Sequence, residues 1–185
     1  MRLLYWNLYG KNLVEHLAEL VESRDIDVII TSENHASASK LPARLCSIGI
    51  GTFVEAWNFT EPVKIFTRLP SSRVKNLQDE GRITARRIEP FVGMPFTLIA
   101  LHGPSKKNRT DSDQAAWMSH TLRPFIEKVE HSEGHSRTVL IGDFNANPFE
   151  ESIIAARGIH GTSSRMIEVL QIPGPRTNQQ AKVRP

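Results

Sequence analysis

Short apolar runs rich in β-branched and aromatic residues recur along the chain and predict buried strands. These strands are expected at residues 2–8, 25–30, 51–58, 63–67, 82–91, 96–101, 139–141 and 166–172. Apolar residues at helical spacing predict one helix after Asn12, a longer one after Asp111 or Ser112, and a short one from Asn147 to Gly158. A strand, a capped helix and a second strand in quick succession predict α/β layering.

Polar segments separate these elements. Residues 36–43 predict a loop or short helix, residues 69–81 a polar connection, and residues 103–110 a basic loop. Gly93, Met94 and Pro95 form a turn signal between two strands, which favours a hairpin. Residues 1–172 are expected to form one domain, and residues 173–185 an irregular tail that is polar, basic and without pattern.

Composition narrows the class of protein. The chain has 185 residues, 39% of them hydrophobic and 23% charged, which is typical of one soluble domain. It has no apolar run long enough to span a membrane and no signal-peptide layout, so a cytoplasmic location is expected. Its single cysteine, Cys46, excludes an internal disulfide and a multi-cysteine zinc site. A net charge of +3 is compatible with a polyanionic partner.

Candidate chemistry begins where the strand at 139–141 ends. Asp143 and Asn145 follow at alternate positions, so their side chains are expected to point the same way. A carboxylate and an amide leaving a core strand together are placed for chemistry. The same residues also fit a plain turn, because Gly-Asp and Asn-Pro pairs are common in turns.

Other strands also end on polar residues, namely Asn7, Glu33 and His102. Sites in layered α/β proteins form where strand ends converge. Hard oxygen ligands beside amides and a histidine suit Mg²⁺ or Mn²⁺ rather than zinc. The amides can donate to a phosphate or hold a water, and His102 can donate to a phosphate oxygen or act as acid or base.

The order of these motifs resembles the endonuclease/exonuclease/phosphatase superfamily, which includes deoxyribonuclease I. The resemblance rests on Trp6-Asn7 ending the first strand, Glu33 ending the second, a strand ending in His102, and the block Gly142-Asp143-Phe144-Asn145. It implies an α+β fold, a four-layer α/β/β/α sandwich with two mixed sheets.

The resemblance also implies roles for individual residues. Glu33 would be a metal ligand, with Asn7 and Asp143 beside it at the ion. Asp143 would orient or deprotonate the attacking water, and Asn145 would help to hold the phosphate. His102 would lie against the scissile phosphate, with Glu61 as the best match for the carboxylate that orients it.

Basic residues are the candidates for contact with phosphate. Arg86 lies on the strand before His102 and is expected to approach the phosphate. Lys106, Lys107 and Arg109 form either a solvated loop or a contact with the nucleic-acid backbone. Trp6 and Trp57 are expected in the core rather than as platforms for base stacking.

The C-terminal part departs from the family pattern. Family members continue with a further strand pair and an Asp-His pair, but nothing after Asn145 supplies one, and His160 comes too early. The domain is therefore expected to be incomplete at its C-terminus. A truncated product, half of a split protein and a degenerate relative all fit this expectation.

The function predicted from sequence is phosphodiester hydrolysis dependent on Mg²⁺ or Mn²⁺, by a nuclease that acts on DNA or RNA. One alternative is a catalytically incomplete or split member that acts as a binding subunit, with a second chain completing the site. A second alternative is a small-molecule phosphatase, because phosphoryl-transfer sites look alike across these substrates.

Overall fold

Two four-stranded mixed sheets form the centre of the fold. The computed structural model describes residues 1–60, 62–108, 110–147, 149–154 and 159. The strands in this part of the chain are β1 (Leu3–Asn7), β2 (Val28–Ser32), β3 (Val54–Glu55), β4 (Val63–Thr67), β5 (Val74–Glu80), β6 (Ile83–Ile88), β7 (Phe96–His102) and β8 (Thr138–Asp143). The strand predicted at 166–172, the domain boundary at 172 and the tail lie outside the described residues.

Each sheet combines parallel and antiparallel pairs. The first sheet has the order β1-β2-β4-β3, with β1 parallel to β2 and the other pairs antiparallel. The second has the order β5-β6-β7-β8, with β7 parallel to β8. The hairpin expected around Gly93 is the antiparallel β6–β7 pair.

Helices cover the outer faces of the two sheets. The α-helices in the described residues are α1 (Val14–Arg24), α2 (Leu41–Ser47), α3 (Asp111–Trp117), α4 (Arg123–Glu133) and α5 (Glu151–Ile154). A π-helical turn, Met118–Leu122, joins α3 to α4 just before Pro124, which has no N–H to give to a regular helix. None of the helices described has the length and apolar character needed to cross a bilayer.

Alternation along the strands produces three apolar layers. On β2, Ile29 packs toward α1 and α2, whereas Val28 and Ile30 face the other sheet. On β7, Leu98 faces the first sheet and Ile99 packs toward α3 and α4. The order helix, sheet, sheet, helix confirms the four-layer α/β/β/α sandwich predicted from the sequence.

Two helix starts differ from the prediction. Asn12 does not cap α1, because its side-chain oxygen accepts a hydrogen bond from the Ser37 hydroxyl instead. Helix α3 begins one or two residues earlier than expected from a cap at Asp111 or Ser112. It begins at a capping box in which Thr110 accepts from the Asp113 N–H and Asp113 accepts from the Thr110 N–H.

The polar connection predicted at residues 69–81 is wrong, because it contains β5. Strand β5 lies at an edge of the second sheet, where it pairs with β6 only and is partly exposed to solvent. A strand in this position can be rich in polar side chains and still pair with its neighbour. The strand predicted at 51–58 shortens to Val54–Glu55.

Arg86 corrects a second prediction, that this residue approaches the phosphate. Its side chain is 2% exposed and pairs with Asp79, 5% exposed, at 2.9 Å. The guanidinium also donates to the Asn76 side-chain oxygen and to the Trp57 carbonyl. Since its donors are used by partners within the fold, Arg86 is a structural cation between the sheets rather than a phosphate contact.

Removing one partner of this buried pair is expected to destabilise the fold strongly. Replacing Asp79→Asn leaves the Arg86 charge without its counter-ion, and breaking a buried pair typically costs about 3–5 kcal/mol of unfolding free energy. Urea unfolding of wild type and Asp79→Asn measures this difference in unfolding free energy. Glu15→Gln, which breaks the exposed Glu15–Arg44 pair, is the matched control and is expected to cost less than about 1 kcal/mol. Equal losses in the two variants would contradict the assignment.

The difference in unfolding free energy between wild type and Asp79→Asn is expected to depend on pH. Burial acts to raise the pKa of the Asp79 carboxyl, but hydrogen bonds from Arg86 and Thr84 outweigh it and hold the pKa below its usual range. Such a carboxyl stabilises the fold above its unfolded pKa and loses that contribution as pH falls through the folded pKa. The difference between wild type and Asp79→Asn should therefore be full at neutral pH and shrink below about pH 4.

Candidate metal and phosphate site

Polar residues from both sheets meet at one end of the sandwich. Asn7 lies opposite Ser32 in the first sheet, and His102 lies opposite Asp143 in the second. The Asn7 side-chain amide donates to Glu33 Oε1 at 3.0 Å and to Asp143 Oδ2 at 2.9 Å. One amide nitrogen thus joins a carboxylate of the first sheet to a carboxylate of the second.

Local backbone geometry presents the two carboxylates. Gly142 has φ 153°, and a Cβ there would lie 2.0 Å from the Leu101 carbonyl oxygen, so glycine is required for β8 to run this close to β7. The Asp143 carbonyl then accepts from the Gly103 N–H at 2.6 Å. Glu33 has φ 48°, a left-handed conformation that ends β2 and turns its side chain toward the site.

Asn145 orients Asp143. Its N–H donates to Asp143 Oδ1 at 2.8 Å, and its side-chain amide donates to the Gly103 carbonyl at 3.0 Å. Gln114 from α3 donates to the Phe144 carbonyl at 2.6 Å and holds the same loop from the other side. These bonds fix Oδ1 of the Asp143 carboxylate and its loop relative to β7, and the Asn7 amide holds Oδ2.

His102 approaches the carboxylates from β7. Its Nε2 lies 3.4 Å from Glu33 Oε1, and its backbone N–H donates to the Arg82 carbonyl at 3.1 Å. The ring is nearly enclosed, and Nδ1 has no hydrogen-bond partner among the described residues. The nitrogen that faces the site is therefore Nε2.

The donor set suits a divalent cation. Glu33, His102 and Asp143 each offer a ligand atom, and these atoms lie within 4.8 Å of one another. No Lys or Arg of the described residues forms an ion pair with either carboxylate, so their charge is left for a cation to balance. Carboxylate oxygens bind hard divalent cations and an imidazole binds transition-metal ions, so the three groups together suit a divalent cation. Asn7 contacts the site as a donor, since its oxygen accepts from the Tyr9 N–H at 2.9 Å.

A pocket of about 330 Å³ opens beside Asp143 toward the basic loop. Lys106 lies in its wall but is bound to Glu150 at 2.6 Å and to Asp111 at 3.1 Å. The hydrogen bond to Glu150 raises the pKa of Lys106, and the same bond lowers the pKa of Glu150. Lys107 also lines the pocket, is exposed, and forms no ion pair within the described residues.

Sequence reasoning missed a buried pair beneath the carboxylates. The Tyr5 hydroxyl lies 2.6 Å from the Ser32 hydroxyl, and burial raises the pKa of Tyr5 to about 12, so the phenol stays neutral. Tyr5 precedes Asn7 by two residues on the same face of β1, and Ser32 is the register partner of Asn7. Side chains on a strand alternate between its two faces, so Tyr5 is expected on the same face as Asn7. This alternation is the sequence signal that would have found Tyr5.

The sequence-predicted residues thus separate into groups. Those that the structure brings together are Asn7, Glu33, His102, Asp143 and Asn145, with Lys106 and Lys107 at the adjoining pocket. Arg86 lies outside this group, in the pair with Asp79. Glu61, Arg109 and His160 lie outside the described residues.

No protein-family model and no curated protein sequence matches the chain. Solved structures do resemble it. TDP2 of D. rerio, complexed with a single strand DNA product, is 21% identical, with a TM-score of 0.53 over 81% of this chain. The human Nocturnin catalytic domain, with a bound sulfate anion, is 14% identical, with a TM-score of 0.53 over 85%. A Staphylococcus aureus beta toxin mutant with bound magnesium ions is 15% identical, with a TM-score of 0.54 over 80%.

The likeness at these identities is a likeness of fold. The chain covers 62% of that TDP2 chain and 65% of a humanized D. rerio TDP2, so it spans less than two thirds of their length. It covers 70% of the Nocturnin domain and 65% of the beta toxin.

If Glu33 holds a divalent cation, Glu33→Gln should weaken Mg²⁺ or Mn²⁺ binding by more than about tenfold, since even the loss of an outer-shell partner commonly costs 10–100-fold. Isothermal titration calorimetry measures the affinity. Glu22→Gln, at an exposed position on α1, is the control and should leave it unchanged. Both variants should unfold at the wild-type temperature without metal. Unchanged affinity in Glu33→Gln would contradict the assignment.

Proposed function

We propose that this chain, which has the fold of the deoxyribonuclease I-like endonuclease/exonuclease/phosphatase superfamily, hydrolyses phosphodiester bonds of nucleic acid with the help of Mg²⁺ or Mn²⁺. The observation that carries the proposal is the Asn7 amide shared between Glu33 and Asp143, with His102 Nε2 at 3.4 Å from Glu33. Two carboxylates held together at the end of a sandwich, beside an imidazole and an open pocket, suit phosphoryl transfer.

Glu33 and Asp143 would hold the divalent cation, and the chemistry supplied by that cation would be polarisation of a phosphoryl oxygen and neutralisation of its developing charge. The residues of the chain supply the remaining functions. Asp143, whose oxygens are fixed by Asn7 and Asn145, is placed to accept the proton of the attacking water. His102 directs Nε2 toward the same space and is placed to donate a hydrogen bond to a phosphate oxygen.

Three observations support nucleic acid as the substrate class. The chain carries a net charge of +3. Lys107 lines the pocket beside Asp143 with no acidic partner in the described part of the chain, so its ammonium is available to a backbone phosphate. A structure of the same fold, TDP2 of D. rerio, is complexed with a single strand DNA product.

The test is cleavage of supercoiled plasmid and of a labelled single strand with Mg²⁺, with Mn²⁺ and with a chelator. Wild type should cut only with metal. Asp143→Asn should lower turnover about 10²–10⁴-fold while the substrate still binds, because a positioned proton acceptor contributes about that much. Glu33→Gln should lose cutting at limiting metal.

Glu22→Gln is again the control and should cut as wild type does. Retained turnover in Asp143→Asn would contradict its role. A folded, monodisperse wild type that cuts neither substrate would overturn the nuclease proposal and favour a binding subunit. Hydrolysis of phosphomonoesters alone would favour a small-molecule phosphatase.

Salt dependence separates the two pocket lysines. Lys107→Ala should reduce the slope of log affinity for DNA against log salt by about one, as expected for the loss of one phosphate contact. Lys106→Ala is the matched control, because Glu150 and Asp111 already balance the Lys106 charge. The affinity is measured by fluorescence anisotropy at several salt concentrations. An equal change in the two variants would contradict the distinction.

A further inference from the structure

Two aromatic side chains project into solvent from the loop between β3 and β4. Trp57 is 65% exposed and Phe59 is 72% exposed, contrary to the expectation that Trp57 lies in the core. Their ring centroids are 4.3 Å apart with an interplanar angle of 68°, an edge-to-face pair. Neither ring joins the three apolar clusters of the described residues. Adjoining exposed rings of this size commonly mark an interaction site.

The ring pair lies at the same end of the sandwich as the carboxylates. Thr60, next to Phe59, donates its hydroxyl hydrogen to the Ile83 carbonyl at 3.1 Å. The neighbouring carbonyl, that of Arg82, accepts from the His102 N–H at 3.1 Å. The loop is therefore attached to β6 within one residue of the contact that holds His102.

The buried Arg86–Asp79 ion pair holds the backbone of Trp57 and Phe59. Arg86 donates to the Trp57 carbonyl at 2.9 Å, and Asp79 accepts from the Phe59 N–H at 3.1 Å. The two side chains of a buried salt bridge thus each hold one residue of an exposed aromatic pair. A loop held in this way presents its rings with little ordering entropy left to lose on binding.

We propose that Trp57 and Phe59 form a stacking platform for unpaired bases, so that single-stranded nucleic acid is the preferred substrate of the site. The inference rests on the proposed function and specifies its substrate. Every base has a π-face, so exposed rings beside a phosphate site bind bases without sequence preference. Bases in a duplex are already stacked on one another and do not offer these faces. A strand would place a phosphate at the carboxylates and a flanking base on the rings.

The test measures binding of a short fluorescein-labelled single strand by anisotropy, in the Asp143→Asn background, in which cutting is slow compared with the binding measurement. Trp57→Ala should weaken binding about tenfold, the effect of losing one stacked base. Trp57→Phe, which keeps a ring, should recover most of the affinity. Phe91→Ala removes an equally exposed ring, 68% exposed, at the β6–β7 turn at the other end of β7, and should have no effect.

Two ligands separate base stacking from phosphate contact. An abasic strand of the same length should bind wild type and Trp57→Ala equally, and a blunt duplex should show no loss on Trp57→Ala. Equal binding of the single strand by wild type and Trp57→Ala, or no binding by either, would overturn the platform. An equal loss of affinity for the abasic and the normal strand in Trp57→Ala would also overturn the platform.

The catalytic proposal is tested separately by cleavage of an unlabelled abasic strand, which has phosphodiester bonds but no base or other ring that could stack. With Asp143 intact, Trp57→Ala should hydrolyse it as wild type does. Suppose that wild type hydrolyses this substrate and that Trp57→Ala binds the single strand with unchanged affinity. This result would support the catalytic site and contradict the stacking platform. Loss of hydrolysis in Trp57→Ala would show that the rings act on the catalytic site itself, which also contradicts the inference.

Discussion

The site depends on one hydrogen-bonding group, the side-chain amide of Asn7. Its nitrogen donates to Glu33 and to Asp143, which arrive from different sheets, and hydrogen bonds to charged groups are worth about 1.5–3 kcal/mol each. Without this donor the two carboxylates would face each other with repulsion alone. The amide therefore fixes the relative position of the two sheets at this end and holds a concentrated negative charge ready for a cation.

A second polar connection sits between the same two sheets. Arg86 and Asp79 are buried there, and through Trp57 and Phe59 they hold the loop before β4. Buried pairs of this kind contribute less to net stability than well-packed apolar residues of the same size, but the loss of one partner is costly. This pair matters for the position of the loop before β4, because directional hydrogen bonds hold the loop in one place, whereas apolar packing would allow it to shift.

Charge around the site is divided unequally between two adjacent lysines. Lys106 is bound by Glu150 and Asp111, whereas Lys107 is exposed beside the same pocket without an acidic partner in the described residues. Two adjacent lysines that look alike in sequence therefore differ in the structure, because Lys106 is a structural cation and Lys107 is an available one. The available one lies beyond Asp143, so attraction for phosphate begins just outside the carboxylate cluster.

The sequence by itself determined that several strands end on polar residues, and its resemblance to a known superfamily implied the four layers. The structure shows that alternate side chains of β2 and β7 pack against helices and against the opposite sheet, and that Asn7, His102 and Asp143 continue the inner face beyond the apolar core. Only the tertiary structure decided which polar residues are covered and which apolar ones are not. Arg86 is buried because Asp79, on a strand that looked like a connection, supplies its partner, and Trp57 is exposed because its loop is held by backbone bonds. Local pattern records the side on which a residue lies, whereas burial and charge balance depend on partners distant in sequence.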